Sequence, residues 1–89
     1  MRDIEQTAAF LKGMKRMLRR GCDNRKMQEA ILRLVDDIPL PERMKDHPLK
    51  GKWTGYRDCH IEPDWVLIYK IDEELLFLTN TGTHSDLFG

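Results

Sequence analysis

Cysteine is scarce in this 89-residue chain: Cys22 and Cys59 stand far apart, with no Cys-x-x-Cys spacing. That argues against a disulfide scaffold and a structural zinc site, and leaves both thiols as packing or surface groups without redox chemistry. Long apolar runs are missing too. Nothing approaches the roughly 18 to 20 residues that a membrane-crossing helix needs, and the opening Met1-Arg2-Asp3-Ile4-Glu5 lacks the apolar stretch of a signal peptide. The expected location is the cytoplasm, with no membrane partner. Repeats, linkers and low-complexity tracts are also lacking, and the length leaves room for one modest core, so residues 1–89 are expected to form one domain. Net charge is zero, which excludes a uniformly basic protein.

What is present is a folded composition, 40% apolar and 34% charged, with its charge unevenly placed. Residues 1–35 hold nine Lys/Arg against four Asp/Glu, and residues 36–89 hold six against eleven. Five basic residues and no acid lie between Lys12 and Arg20: Lys12, Lys15, Arg16, Arg19 and Arg20. Such a density is felt by a polyanion, though a solvated helix face has the same signature.

Hydrophobic periodicity divides the chain into elements. Phe10, Leu11, Met14, Met17 and Leu18 recur at helical spacing, with the basic residues largely opposite, Thr7 as N-cap and Gly21 as stop. A second helix is expected from Asp23 or Asn24 to Val35, burying Met27, Ala30, Ile31, Leu34 and Val35. Pro39, Pro41 and Pro48 make Asp37 to Gly51 an ordered loop, which carries His47. Three strands follow, Trp53 to Ile61, Trp65 to Ile71 and Leu75 to Thr81, joined by short turns and therefore an antiparallel meander. Their aromatics, Trp53, Tyr56, Trp65 and Tyr69, are expected to pack in the core or on a sheet face. Arg2 to Gln6 adds a short strand. The expected fold is α+β, in the order β-α-α-β-β-β, with a two-helix hairpin on one face of a mostly antiparallel sheet.

The chemistry-bearing residues gather at element edges. His60 ends the first meander strand, Asp64 opens the second four residues later, and His84 follows the third. In an antiparallel meander the first and third strands end at the same rim, so His60, Asp64 and His84 converge there, and His47 arrives on the proline-rich loop. Imidazole titrates near neutrality, so one histidine can accept a proton while another donates one. This equips a site for RNA cleavage by attack of a 2′-hydroxyl on the adjacent phosphorus. Histidine with aspartate also binds metal, but the tight ligand spacing of a structural zinc site is missing.

The motifs Asp46-His47-Pro48-Leu49, Gly55-Tyr56-Arg57-Asp58, Glu62-Pro63-Asp64-Trp65 and Gly82-Thr83-His84 lie within Lys45 to Gly89. Through them the chain resembles the RelE superfamily of bacterial toxins, and within it the YafQ family. The resemblance implies the toxin of a type II toxin–antitoxin system, a ribosome-dependent endoribonuclease that cuts mRNA in the A site. Its implied mechanism is metal-independent acid–base catalysis yielding a 2′,3′-cyclic phosphate, with no cofactor.

Carried over residue by residue, the resemblance puts His47, His60, Asp64 and His84 in the catalytic site. His47 and His84 transfer protons, in an order left open, while His60 and Asp64 position and support charge. Asp58 lies beside them, and Phe88 offers a stacking surface for a base, or else a terminal anchor in the core. The family has an arginine four residues before its last histidine, where this chain has Asn80. Lys50, Lys52 or Arg57 is then the expected substitute for neutralising the phosphorane, and the rate is expected to fall if none serves. The basic helix from Lys12 to Arg20 suits docking on ribosomal RNA. Implied partners are a DinJ-like antitoxin, the 70S ribosome with its mRNA, and operator DNA only through the antitoxin complex. Two rival readings are a ParE-like protein-binding toxin, against which the histidines argue, and an inactive relative retained for antitoxin binding, which only Asn80 favours.

Overall fold

The computed structural model describes residues 1–89. Its elements are β1 (Asp3–Gln6), α1 (Ala8–Arg19), α2 (Asn24–Val35), β2 (His47–Pro48), β3 (Arg57–Glu62), β4 (Trp65–Asp72), β5 (Leu75–Gly82) and α3 (His84–Phe88). The five strands form one sheet in the order β1-β5-β4-β3-β2. Strand β1 runs parallel to β5, and the other pairings are antiparallel. The α+β layout and the meander are therefore as the sequence implied. No helix is long and apolar enough to cross a membrane.

Local signals set the helix ends. The Thr7 hydroxyl accepts from the Phe10 N–H and the Asp23 carboxylate from the Arg25 N–H, each satisfying a first-turn donor. Gly21 takes φ +92°, which stops α1 cheaply because it has no Cβ to clash. Phe10, Met17, Met27, Ala30, Leu34 and Val35 fill the core against Cys59, Ile61, Trp65, Leu67, Tyr69, Leu76 and Leu78 of the sheet. Leu11 and Leu18 do not join them: they are 48% and 43% exposed. Gly13 explains why, since α1 turns a narrower stripe inward and its backbone touches β5; a Cβ there would lie 2.2 Å from the Thr81 carbonyl oxygen.

The sheet departs from expectation at three places. The first meander strand begins at Arg57 rather than Trp53, because Gly51–Trp53 winds into a 3₁₀ turn and Gly55 takes φ +95°. Trp53 and Tyr56 consequently meet edge to face outside the strands, with centroids 5.5 Å apart, while Trp65 and Tyr69 are buried on β4. The proline-rich loop contributes the two-residue strand β2 at the sheet edge, where Pro48 needs no N–H for a further neighbour. It also sends Met44 into the core, 1% exposed. The chain end forms the short helix α3, with Thr83 and Asp86 as a reciprocal capping box.

Pairing register decides which side chains share a face. Asp58, Ile68 and Asn80 lie in one cross-strand row, and His60, Val66 and Gly82 in the next. Both rows stand on the face opposite the core residues Cys59, Leu67 and Tyr69, with register irregularities between His60 and Glu62 at the rim and between Ile68 and Tyr69 midway along β4. Bulges of this kind re-aim side chains near functional rims.

Candidate active site

Four elements deliver the titratable residues to one rim. His60 comes from the end of β3, Asp64 from the β3–β4 turn, His84 from the first turn of α3 and His47 from β2. The Asp64 carboxylate accepts two hydrogen bonds through Oδ1, from the His84 backbone N–H at 2.9 Å and from ring Nδ1 at 2.7 Å. These two bonds, backbone first, hold Asp64 below the usual carboxylate range. They also put the ring proton on Nδ1, so that His84 presents Nε2 to solvent. The His60 ring stands 5.1 Å from the His84 ring, edge to face.

His47 is arranged differently. Its Nδ1 lies 2.6 Å from the Lys45 carbonyl oxygen, which can only accept, so the ring proton again sits on Nδ1 and Nε2 is free. Nδ1 is also 3.2 Å from Asp58 Oδ1. Since its one proton points at the carbonyl, that oxygen of Asp58 has no donor. The Asp58 side chain is 5% exposed. Burial raises its pKa, and the opposing fields of His47, His60 and His84 only partly offset the shift. Asp58 thus lies against His47 and within the electrostatic reach of His60 and His84. Burial in turn lowers the pKa of His60, with Asp58 acting against it and His84, Lys45 and His47 adding to it.

The remaining expected residues divide. Phe88 sits 6.3 Å from the His84 ring and is 42% exposed, so it is a rim aromatic and not a core anchor. Arg57 pairs with Tyr69 in the sheet, on the face opposite Asp58, where its Nε lies 3.2 Å from Asp46 Oδ1. The structure therefore does not bring Arg57 to the histidines, because a one-residue step along a strand reverses the face. Lys50 and Lys52 are exposed on the Gly51–Trp53 turn, without an ion-pair partner. The Asn80 side chain folds back to accept from the Thr81 N–H at 2.9 Å. Among the basic residues of α1 and its C-cap, Lys12, Lys15 and Arg19 face solvent, but the C-cap Arg20 and Arg16 reach Asp86, at 2.8 and 3.6 Å.

Sequence reasoning missed Asp46, Lys45 and Asp86. Asp46 accepts from the Tyr69 hydroxyl and Arg57, tying the proline-rich loop to β3 and β4. Lys45 supplies the carbonyl for His47 and takes a left-handed φ of 48°. Asp86 had a visible signal, its three-residue spacing from Thr83. Both cysteines are free; buried Cys59 has its pKa pushed up to about 12 by desolvation, consistent with an unreactive packing thiol.

A two-helix layer on this sheet, with three histidines and two carboxylates at the rim, defines a small α+β toxin of the kind encoded in type II toxin–antitoxin systems. Residues 2–89 match the family described as bacterial toxin of type II toxin–antitoxin system, YafQ. The chain is 47% identical over 89 residues to the mRNA interferase toxin YafQ of Escherichia coli K12, covering 99% of this chain and 97% of that one. It superposes on the crystal structure of YafQ from E. coli BL21(DE3) with a TM-score of 0.93 at 46% identity, and all of both chains is covered. It also superposes on YafQ in the E. coli DinJ–YafQ complex, with a TM-score of 0.92 at 47% identity and full coverage of both chains. The chain belongs to the YafQ family of toxins.

Proposed function

We propose that this toxin is an mRNA interferase, a ribosome-dependent endoribonuclease that cuts mRNA in the A site. The observation that carries the reading is the double hold of Asp64 on His84, which leaves Nε2 free beside His60. One of His47 and His84 removes the proton of a 2′-hydroxyl through Nε2, and the freed oxygen attacks the adjacent phosphorus. The P–O5′ bond breaks as the other histidine, entering the step as an imidazolium, gives its Nε2 proton to the leaving 5′-oxygen and becomes neutral, yielding a 2′,3′-cyclic phosphate and a 5′-hydroxyl. His60, kept toward its neutral form by burial, positions the phosphate by hydrogen bonding. Phe88 stacks on a neighbouring base.

Lys12, Lys15 and Arg19 form the face that docks on ribosomal RNA. The partner that silences the toxin is a DinJ-like antitoxin, in keeping with the E. coli relative solved in complex with DinJ; operator DNA is reached only through that complex. The test is induction of the toxin alone in a bacterium with mapping of transcript 5′ ends. Cuts within codons of translated messages, absent with His84→Ala, are the expected result. Growth arrest without new 5′ ends would replace the reading by a non-nucleolytic one.

A further inference from the structure

Asp86 lies where α1 and α3 meet the end of β5. Its Oδ2 accepts from Arg20 at 2.8 Å and from the Thr83 N–H at 2.9 Å, with Arg16 Nε at 3.6 Å. Its own N–H donates to the Thr83 hydroxyl at 3.1 Å, completing the capping box. The carboxylate is held far below its ordinary range, first by Arg20 and then by the Thr83 N–H. Gly82 lets this junction close: a Cβ there would lie 2.8 Å from Asp86 Cβ and 3.2 Å from an Arg16 terminal nitrogen. Thr83 leads directly into His84, whose N–H and ring both bind Asp64. The five-residue α3 buries no residue of its own, so packing does little to fix it, and these polar contacts connect it to α1.

We propose that Asp86, gripped by Arg20 and Arg16, is a positioning residue that locks α3 and so holds His84 on Asp64 in its reactive tautomer. The assignment rests on the nuclease reading for its effect on rate, but not for its effect on the ring. It also reassigns Arg16 and Arg20 from ribosome docking to the active site's own support. Displacing a reacting group by about 1 Å can slow an enzyme by about a hundredfold, and an exposed five-residue helix without its anchor has ample room to shift.

The experiment compares the wild type with Asp86→Asn, Arg20→Ala, Arg20→Lys and the Asp86→Asn/Arg20→Ala double variant. Single-turnover cleavage of programmed ribosomes gives rate and half-saturation separately. Long-range ¹H–¹⁵N correlation of the His84 ring, at a pH where it is neutral, gives the tautomer in the free toxin. The expected result is a fall in maximal rate on the order of tenfold or more for Asp86→Asn and Arg20→Ala, with half-saturation unchanged. Arg20→Lys recovers much of the rate, and the double variant is no worse than either single, as for two residues acting through one contact. The ring moves from a single Nδ1–H form to a mixture. An unchanged ring tautomer, or a defect confined to half-saturation, overturns the proposal. If the wild type cleaves nothing, the nuclease reading fails and the ring spectrum alone decides the role of Asp86.

Discussion

Asp64 and Asp58 are two aspartates beside two histidines, and their surroundings give them opposite characters. Asp64 is 66% exposed in its side chain and takes two hydrogen bonds from one residue, which favours its ionised form. Asp58 is buried with an oxygen that has no donor, which disfavours its charge. The linkage to stability follows with opposite signs. Asp64, with its folded pKa depressed, contributes stability above its unfolded pKa that is lost as pH falls through the folded value. Asp58, with its folded pKa raised, loses stability as pH rises from the unfolded pKa through the folded one. One carboxylate is held in place by the fold. The other is tolerated by it, a buried carboxylate against His47 whose charge is partly offset by the fields of three imidazoles.

The largest expected effects fall on the histidines that each carboxylate faces. His84→Ala and His47→Ala each remove a group proposed to transfer a proton and are expected to slow single-turnover cleavage by about 10² to 10⁴. Antitoxin pull-down and circular dichroism should be unchanged. Asp64→Ala comes next, since it frees His84 to rotate: cleavage is expected to fall by about a hundredfold, while thermal unfolding shifts little because the site is exposed.

Asp58→Asn separates the two carboxylates most sharply. It is expected to slow cleavage yet raise stability at pH 7 by roughly 1 kcal/mol, the lower end for relieving an unsatisfied buried group. In a domain of this size that is about 4 to 8 °C in Tm. The gain should shrink as the pH is lowered toward 4, where the wild-type carboxyl binds its proton, and melting curves across that range check it. A loss of stability at neutral pH would mean that Asp58 is satisfied and that the contrast is false.

Smaller effects lie away from the carboxylates. Asn80→Arg supplies the cation that the resemblance implies and is expected to raise the maximal rate more than affinity, since charge near the phosphorane stabilises the transition state preferentially. Lys12→Glu with Lys15→Glu and Arg19→Glu leaves the rim untouched. Each lost phosphate contact is expected to reduce the slope of log binding constant against log salt by about 0.7 to 0.9, measured by sedimentation with ribosomes.

The meander and the hairpin of helices were legible because strand and helix periods differ and because Thr7, Asp23 and Gly21 carry local signals. The convergence of His60, Asp64 and His84 was legible for a topological reason, since alternate antiparallel strands end at one rim. Arg57 was misplaced because sequence proximity to Asp58 says nothing about which face a strand residue takes. The short strand at His47–Pro48 was hidden by its proline and by its length of two residues. Helix α3 spans five residues, too few for a hydrophobic period, so only its capping box could have announced it. The tie between Arg20 and Asp86 crosses 66 positions of sequence and is visible only once α1 is docked on β5.

The most direct test of the acid–base rim is the pH dependence of single-turnover cleavage on programmed ribosomes, for the wild type, His47→Ala and His84→Ala, with the product ends identified. Two histidines that transfer protons in one step give a bell-shaped wild-type profile, a 2′,3′-cyclic phosphate product, and one limb abolished in each variant. A wild-type profile without limbs, or variants that retain full rate and both limbs, would contradict the account.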